Sequence, residues 1–302
     1  MRVLAHGRAY GRVGAVVGAL LLVTTACGDD TPSAQPAPSA QSGTTSDSPS
    51  ASPTGSPTGT PTETESAEPV TSAVWFIVDT RNGLRLVREL RDLPGADPAR
   101  EAVEAMVAGP TDPDYTTTWN PDTEVLSVED EGDLVTVDLS AEAEDASVGS
   151  EGAALMVQQL VHTVTDALDP GAGVRLLIEG EPADELWGAV TWDGTERRAD
   201  PLEVRSLVQI DVPREGQTMS SPVRVEGEAA TFEANVPWRI LDAEGDEVRT
   251  GFATAREGMT LSPFTFDVKL PPGSYVLEIS EDDPSGGEGG EPMTDTRTFI
   301  VE

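Results

Sequence analysis

Apolar and polar positions follow four different rules along this chain. Residues Val13–Val23 form an unbroken apolar run. From Asp29 to about Pro69 the chain is Ser, Thr, Pro, Gly, Ala and Gln with a few acids and no aromatic residue. Between about 72 and 192, short apolar runs of strand length alternate with stretches of helical period. Beyond about 207 the helical period disappears, and apolar residues recur at every second position.

The third stretch predicts an α+β unit. Val74-Trp75-Phe76-Ile77-Val78 reads as a buried strand, Asp79–Gly83 as a turn, and Leu84–Leu90 as the partner strand with Leu84, Leu86 and Arg88 on one side. A helix follows with clear punctuation: Asp97 caps it, Pro98 suits its first position and Gly109-Pro110 stops it. Ala99, Ala102, Val103, Met106 and Val107 then share one face. Leu126 and Val128, then Val135, Val137 and Leu139, alternate on either side of the Asp130–Asp133 turn and predict a hairpin. A second helix is expected over about 150–168, with Val157, Leu160, Val161, Val164 and Leu168 as its stripe. Val174–Ile178 is a further strand, and Gly188–Val190 a last short one. Strand–strand–helix–hairpin–helix–strand implies a small sheet with two helices on one face.

Several segments in that order carry a resemblance: VWFIVD…LVREL, the helix ending AMVAGPT, NPDTEVLSVEDEGDLVTVDLS, and QQLVHTVTDAL followed by VRLLIEG. Together they resemble the GerMN domain, and Ala108-Gly109-Pro110-Thr111 is the most telling piece. The resemblance implies an α+β fold similar to ring-building modules of envelope assemblies, with no established catalytic activity.

The fourth stretch predicts about seven short strands, with turn residues every 8–12 positions, which indicates a β-sandwich. VQIDVPREGQTMSSPVRVEGEA, FEANVPWRILDAEGDEVRTGF and PFTFDVKLPPGSYVLEISEDD are similar to the Gmad2 domain, an immunoglobulin-like module that often follows GerMN. The acidic insert Glu281–Glu291 departs from that pattern. Phe232 and Trp238 are expected in the core. The chain thus divides into a signal (1–26), a tether (27–71), an α+β domain (72–192), a polar connector (193–206) and an all-β immunoglobulin-like sandwich (207–302).

Chemistry at the N-terminus adds location. Arg2, Arg8 and Arg12 precede the apolar run, and Thr24-Thr25-Ala26-Cys27-Gly28 follows it. Basic residues, a short apolar run and small residues before a cut make a secretory signal. The run is shorter than the ~20 apolar residues a membrane span needs. The chain's only cysteine stands at the cut, so the segment resembles the bacterial lipoprotein signal, in which the sulfur is lipidated and the freed amine acylated. That family usually has Leu three residues before the cysteine; here it is Thr24, with Val23 behind it. Acylated Cys27 is therefore expected to hold the protein to the outer face of the cell membrane. The tether cannot bury enough apolar surface to offset its ordering entropy and is expected to act as a disordered spacer.

Charge excludes some partners. The formal net charge is −35 over 302 residues, with one lysine, Lys269. Such a chain repels nucleic acid and anionic headgroups. No internal disulfide is available to a chain with one cysteine. After the signal, His162 is the only histidine, read as a surface residue off the apolar stripe of its helix. One histidine and a lipidated cysteine supply neither a nucleophilic triad nor a zinc site, and no phosphate-binding or dinucleotide glycine pattern occurs. Glu281–Glu291 offers carboxylates but lacks the spacing of a calcium loop. No catalytic residue, metal ligand or cofactor is assigned. The expected role is a non-enzymatic binding or scaffolding module of the cell envelope, with an envelope protein or wall glycan as partner. Germination or sporulation enters only through the resemblance. The alternatives are a wall hydrolase using a carboxylate pair, and an accessory lipoprotein modulating a membrane sensor or transporter.

Overall fold

The computed structural model describes residues 68–192, 194–282 and 291–302. The signal, Cys27 and nearly all of the tether lie outside the described residues, as does most of the acidic insert.

The first module opens with an antiparallel hairpin, β1 (Val70–Thr80) and β2 (Gly83–Leu93), in continuous register from Val70 opposite Leu93 to Thr80 opposite Gly83. Helix α1 (Pro98–Ala108) begins where its signals place it. The Asp97 side chain accepts from the Arg100 amide, and the five predicted apolar residues are all buried. The hairpin of β3 (Val125–Asp130) and β4 (Leu134–Leu139) leads to α2 (Ser150–Asp166), which crosses over to β5 (Gly173–Ile178), parallel to β4. Two short strands follow at β6 (Glu181–Pro182) and β7 (Glu185–Leu186), and β8 (Val190–Thr191) pairs with β7. The sheet is in two pieces, β1–β2 and β3-β4-β5-β6. Phe76 and Val87 meet Met106, Met156, Leu160, Val137 and Leu176 in the core between them.

The hairpin is buried on both faces. Trp75, Ile77 and Leu86 form a second, small core with Leu155 of α2. Val204 closes it from α3 (Pro201–Val204), a short helix in the connector capped by Asp200. The Ser206 amide then donates to the Leu86 carbonyl at 2.8 Å, so the connector packs along the edge of β2.

That second core corrects the placement of His162. It is 3% exposed, with its ring centroid 4.7 Å from that of Trp75. Helix α2 is packed on two sides, so the polar positions between its apolar stripe and solvent are covered by β1. Gln159 and Thr163 are also fully buried there. Both serve the strand they cover. The Trp75 amide donates to Thr163 Oγ1 at 3.1 Å, and Gln159 Nε2 donates to the Trp75 carbonyl at 2.9 Å. Two side chains thereby complete the outer edge of β1, whose next step is bridged by Thr116 opposite Ile77. Leu168, expected on the α2 stripe, lies beyond the helix end and is exposed.

The second module is a sandwich of two sheets. One contains β9 (Val208–Val212), β11 (Val223–Ala229) and β14 (Ser262–Val268), in the order β14-β11-β9. The other is ordered β10-β16-β15-β12-β13, from β10 (Gln217–Met219), β12 (Asn235–Asp242), β13 (Glu247–Thr254), β15 (Gly273–Ser280) and β16 (Thr294–Val301). Ile210, Val225, Val236, Ile240, Phe264, Leu277 and Phe299 fill the space between. Trp238 is half-buried, stacked on Phe266 at 4.7 Å, and covers the face of Gly251, where a Cβ would stand 2.6 Å from the indole. Phe232 is not a core residue: it is 46% exposed. Glu233 and Ala234 take left-handed φ values of 52° and 59°, so the chain turns before β12 and leaves Phe232 outside.

Gln159→Leu keeps the bulk of α2 but leaves the Trp75 carbonyl buried without a donor. It should cost about 1–3 kcal/mol in chemical denaturation.

Candidate functional site

Residues from both modules converge at one place, the joint between them. At its centre is Arg297 on β16, 2% exposed. Strand β16 places Asp295, Arg297, Phe299 and Val301 on the same inward face, so two charges occupy positions where the strand otherwise buries apolar side chains. Arg297 Nη1 donates to Asp112 Oδ2 at 2.7 Å and to Asp295 Oδ1 at 3.0 Å. Its Nη2 donates to the Tyr115 hydroxyl at 2.6 Å and to the Ile210 carbonyl at 3.0 Å. The Tyr115 hydroxyl donates to Asp295 Oδ1 at 2.7 Å, and the Ile210 amide to Asp295 Oδ2 at 2.6 Å. Asp112 and Tyr115 belong to the loop after α1, so the network crosses from one module to the other.

A second cluster flanks the first. Arg88 of β2 pairs with Asp211 of β9 at 2.7 Å and with Glu228 of β11 at 3.2 Å. Arg205 of the connector also pairs with Glu228. Both guanidiniums lie against the Trp75 ring, at 4.7 Å for Arg205 and 5.8 Å for Arg88. Trp75 Nε1 donates to Asp166 at 2.6 Å, and Asp166 is held in turn by Arg198 at 2.6 Å. At the rim, Arg214 forks onto Asp92 at 2.8 and 3.1 Å. Arg81 reaches Glu281 at 3.0 Å. Between the clusters lies a slot of about 290 Å³, lined by Glu89, Arg91, Asp92, Ile210, Arg214 and Arg297 among others.

Burial sets the electrostatics. It pushes the Asp112 carboxyl up to about 6, against the pull of Arg297. Burial likewise raises Asp295 above the usual carboxylate range. It opposes the charge on Arg88 and Arg297, but neighbouring carboxylates outweigh it and hold both above the usual guanidinium range. Burial and three arginines, Arg198, Arg205 and Arg88, push His162 down to about 3.

The arrangement can fix the two modules in one orientation and can exchange a proton. Asp112 and Asp295 are sealed from solvent around one guanidinium rather than facing each other across a cleft. His162 is buried, and neither ring nitrogen has a hydrogen-bond partner among the described residues. Among the described residues no group of three or more His, Cys, Asp or Glu is arranged to hold a metal ion. Cys27, the one site residue assigned from the sequence, lies outside the described residues. Arg88 does lie with Leu84 and Leu86 on the face that the alternation assigns it. Sequence reasoning misses the Arg297 network, because apolar alternation starts the last strand only at Thr298; the signal is Asp295-Thr296-Arg297 at inward register.

Two outcomes follow. Arg297→Met leaves Asp112 and Asp295 buried without a counter-charge and should cost about 3–5 kcal/mol by denaturation. For His162, the folded pKa of about 3 lies below the unfolded value, so the unfolded chain binds the extra proton. Its contribution is intact above about pH 6.5 and is lost as pH falls toward 3, by about 1.4 kcal/mol per pH unit. His162→Leu should flatten that part of a stability–pH curve.

Comparison with known proteins places these modules. Residues 66–184 match the family model Germane, described as sporulation and spore germination. Residues 207–288 match Gmad2, described as the immunoglobulin-like domain of bacterial spore germination. Among solved structures, the tandem GerMN domains of the sporulation protein GerM from Bacillus subtilis align at 16% identity and a TM-score of 0.36, over 44% of this chain and 46% of that one. The alignment thus spans just under half of that tandem structure. The first GerMN domain of the same protein aligns at 22% identity and TM-score 0.35, over 43% of this chain and 99% of that one. A putative lipoprotein from Clostridium perfringens aligns at 15% and 0.32, over 46% and 94%. No curated protein matches. The two matched modules, in this order and covering both halves of the described fold, make the chain a member of the spore-germination-related family that combines a Germane (GerMN) domain with a Gmad2 domain.

Proposed function

We propose that the chain is a lipid-anchored, extracytoplasmic scaffold that presents its two modules as one rigid body to a partner in the cell envelope. Acylated Cys27 is the anchor, and the Ser/Thr/Pro-rich segment after it is the spacer. The reading assigns the protein a binding role in a sporulation- or germination-related assembly, with an envelope protein or a wall glycan as the bound component.

The observation that carries it is the joint. Both modules match families described by spore germination. Buried charges from the loop after α1 and β16, and half-buried ones from β2, the connector, β9 and β11, lock them together. Two domains joined by a free linker would gain affinity only through effective concentration; a locked pair can offer one continuous surface. The sealed positions of Asp112 and Asp295 favour this reading over carboxylate-pair hydrolysis.

Metabolic labelling with an alkyne fatty acid should tag the wild-type protein in the membrane fraction. Cys27→Ser should abolish the tag and release the protein from membranes. In-cell crosslinking with mass spectrometry should recover an envelope protein or wall glycan attached to both modules. An untagged protein in the cytosol would remove the anchoring half of the reading, and crosslinks confined to cytosolic proteins the other half.

A further inference from the structure

We propose that the joint between the modules is a proton-operated latch: Asp112 and Asp295, which share the single guanidinium of Arg297, take up one proton on mild acidification, and the modules clamp together more tightly when they do. This inference is independent of what the modules bind and of how the chain is anchored.

The geometry requires it. Asp112 comes from the first module; Asp295 and Arg297 come from the second. All three are at most 5% exposed. One positive charge against two carboxylates leaves a buried excess of negative charge in the closed joint, which a proton removes.

The surroundings deepen the excess. On its own loop, Asp112 faces Tyr115, and its Oδ1 accepts from the Asp114 amide, while the Asp114 carboxylate takes the Thr296 hydroxyl of the second module. From β2, Glu89 accepts the Thr111 and Asp112 amides at 2.8 Å and is paired with Arg91. From β9 and the turn after it come Asp211, Arg214 and Glu215, of which Asp211 is paired with Arg88 and Arg214 with Asp92. Around Asp112 itself, five carboxylates (Asp112, Asp295, Glu89, Asp114 and Glu215) meet two guanidiniums, Arg297 and Arg91.

The direction of the switch follows from linkage. In the closed joint the Asp112 carboxyl is pushed up to about 6 by burial. When the modules part, it meets water and returns to the ordinary carboxylate value. The closed form therefore binds more protons between those two values, and closure strengthens as pH falls. The same proton uptake would be lost at alkaline pH, where the joint carries its full excess charge.

The Arg88 amide of β2 reports closure directly, because its acceptor is Gln209 Oε1 on β9 of the second module, at 3.3 Å. Hydrogen exchange is measured on the full chain at pH 5, 6.5 and 8 and corrected for intrinsic exchange, with the Leu176 amide in the core of the first module as reference. Arg88 protection should rise about tenfold from pH 8 to pH 5 relative to Leu176. In Asp112→Asn that rise should vanish. Carbon-13 titration of the Asp carboxyls in the wild type gives a second measurement should the variant not fold. One carboxyl of the pair should then titrate well above the ordinary range. The latch is overturned if both carboxyls titrate at ordinary values, if Arg88 protection tracks that of Leu176, or if the rise persists in the Asn variant.

Discussion

The edge of a β-strand is a row of backbone donors and acceptors that burial cannot leave unpaired, and this structure depends on how two such edges are completed. Strand β1 pairs with β2 along one edge; its other edge is bridged by Thr116 at Ile77 and, beside that bridge, runs under α2. Thr163 accepts from the Trp75 amide and Gln159 donates to its carbonyl. Strand β9 lies at the edge of its sheet and runs beneath the first module. Asp295 accepts from the Ile210 amide, and Arg297 donates to the Ile210 carbonyl. In both places one acceptor and one donor stand where a neighbouring strand would otherwise be. In the first, a helix is fixed against a hairpin; in the second, β16 is fixed against β9 within the second module, and Asp112 and Tyr115 of the first module dock on the same Asp295 and Arg297.

The two solutions differ in their electrical consequence. Gln159 and Thr163 are neutral, so their burial requires only hydrogen bonds. Asp295 and Arg297 are charged, and placing them on an inward strand face obliges the fold to surround them with polar partners from the other module. Tyr115 and Asp112 answer that need. The joint is thus specific in a way that an apolar contact is not: sliding the modules apart by a side-chain width would strip Arg297 of Asp112 and Tyr115. Arg88 and Arg205 apply the same logic beside Trp75, where the indole gives two cations an apolar wall and Glu228 balances both.

Much of the fold is legible because its signals are local. Asp97, Pro98 and Gly109 bracket α1 and the structure places the helix between them. Alternation and turn residues announce about seven short strands where the sandwich has eight, β9 to β16, and alternation places Leu84, Leu86 and Arg88 on one side of β2. The site is less legible, because its residues break the periodic rules that reveal elements. His162 reads as a surface residue because it stands off the apolar stripe of its helix; a helix packed on two sides has no wet side there, and no periodicity announces the second neighbour. Phe232 reads as core because it is aromatic and precedes a strand, but left-handed backbone at Glu233 and Ala234 decides otherwise. Asp295 and Arg297 escape a reading by apolar alternation because charges rarely face inward on a strand. That rarity is the signal.

Burial also gives the two halves of the joint opposite responses to acid. His162 sits neutral beneath Trp75, flanked by arginines, so the first module resists its protonation and loses stability as pH falls. Asp112 sits among carboxylates, so the contact with the second module gains from a proton. Both effects follow from desolvation acting on groups of opposite charge type, a base driven down and an acid driven up. Between the ordinary carboxylate value of 3.8 and about 6, the contact between modules strengthens as the interior of the first module weakens. Orientation of the modules and stability of the fold are therefore separately tuned, and the residues that set them lie on opposite sides of the β1–β2 hairpin's edge pairings: α2 on one, β9 and β16 on the other.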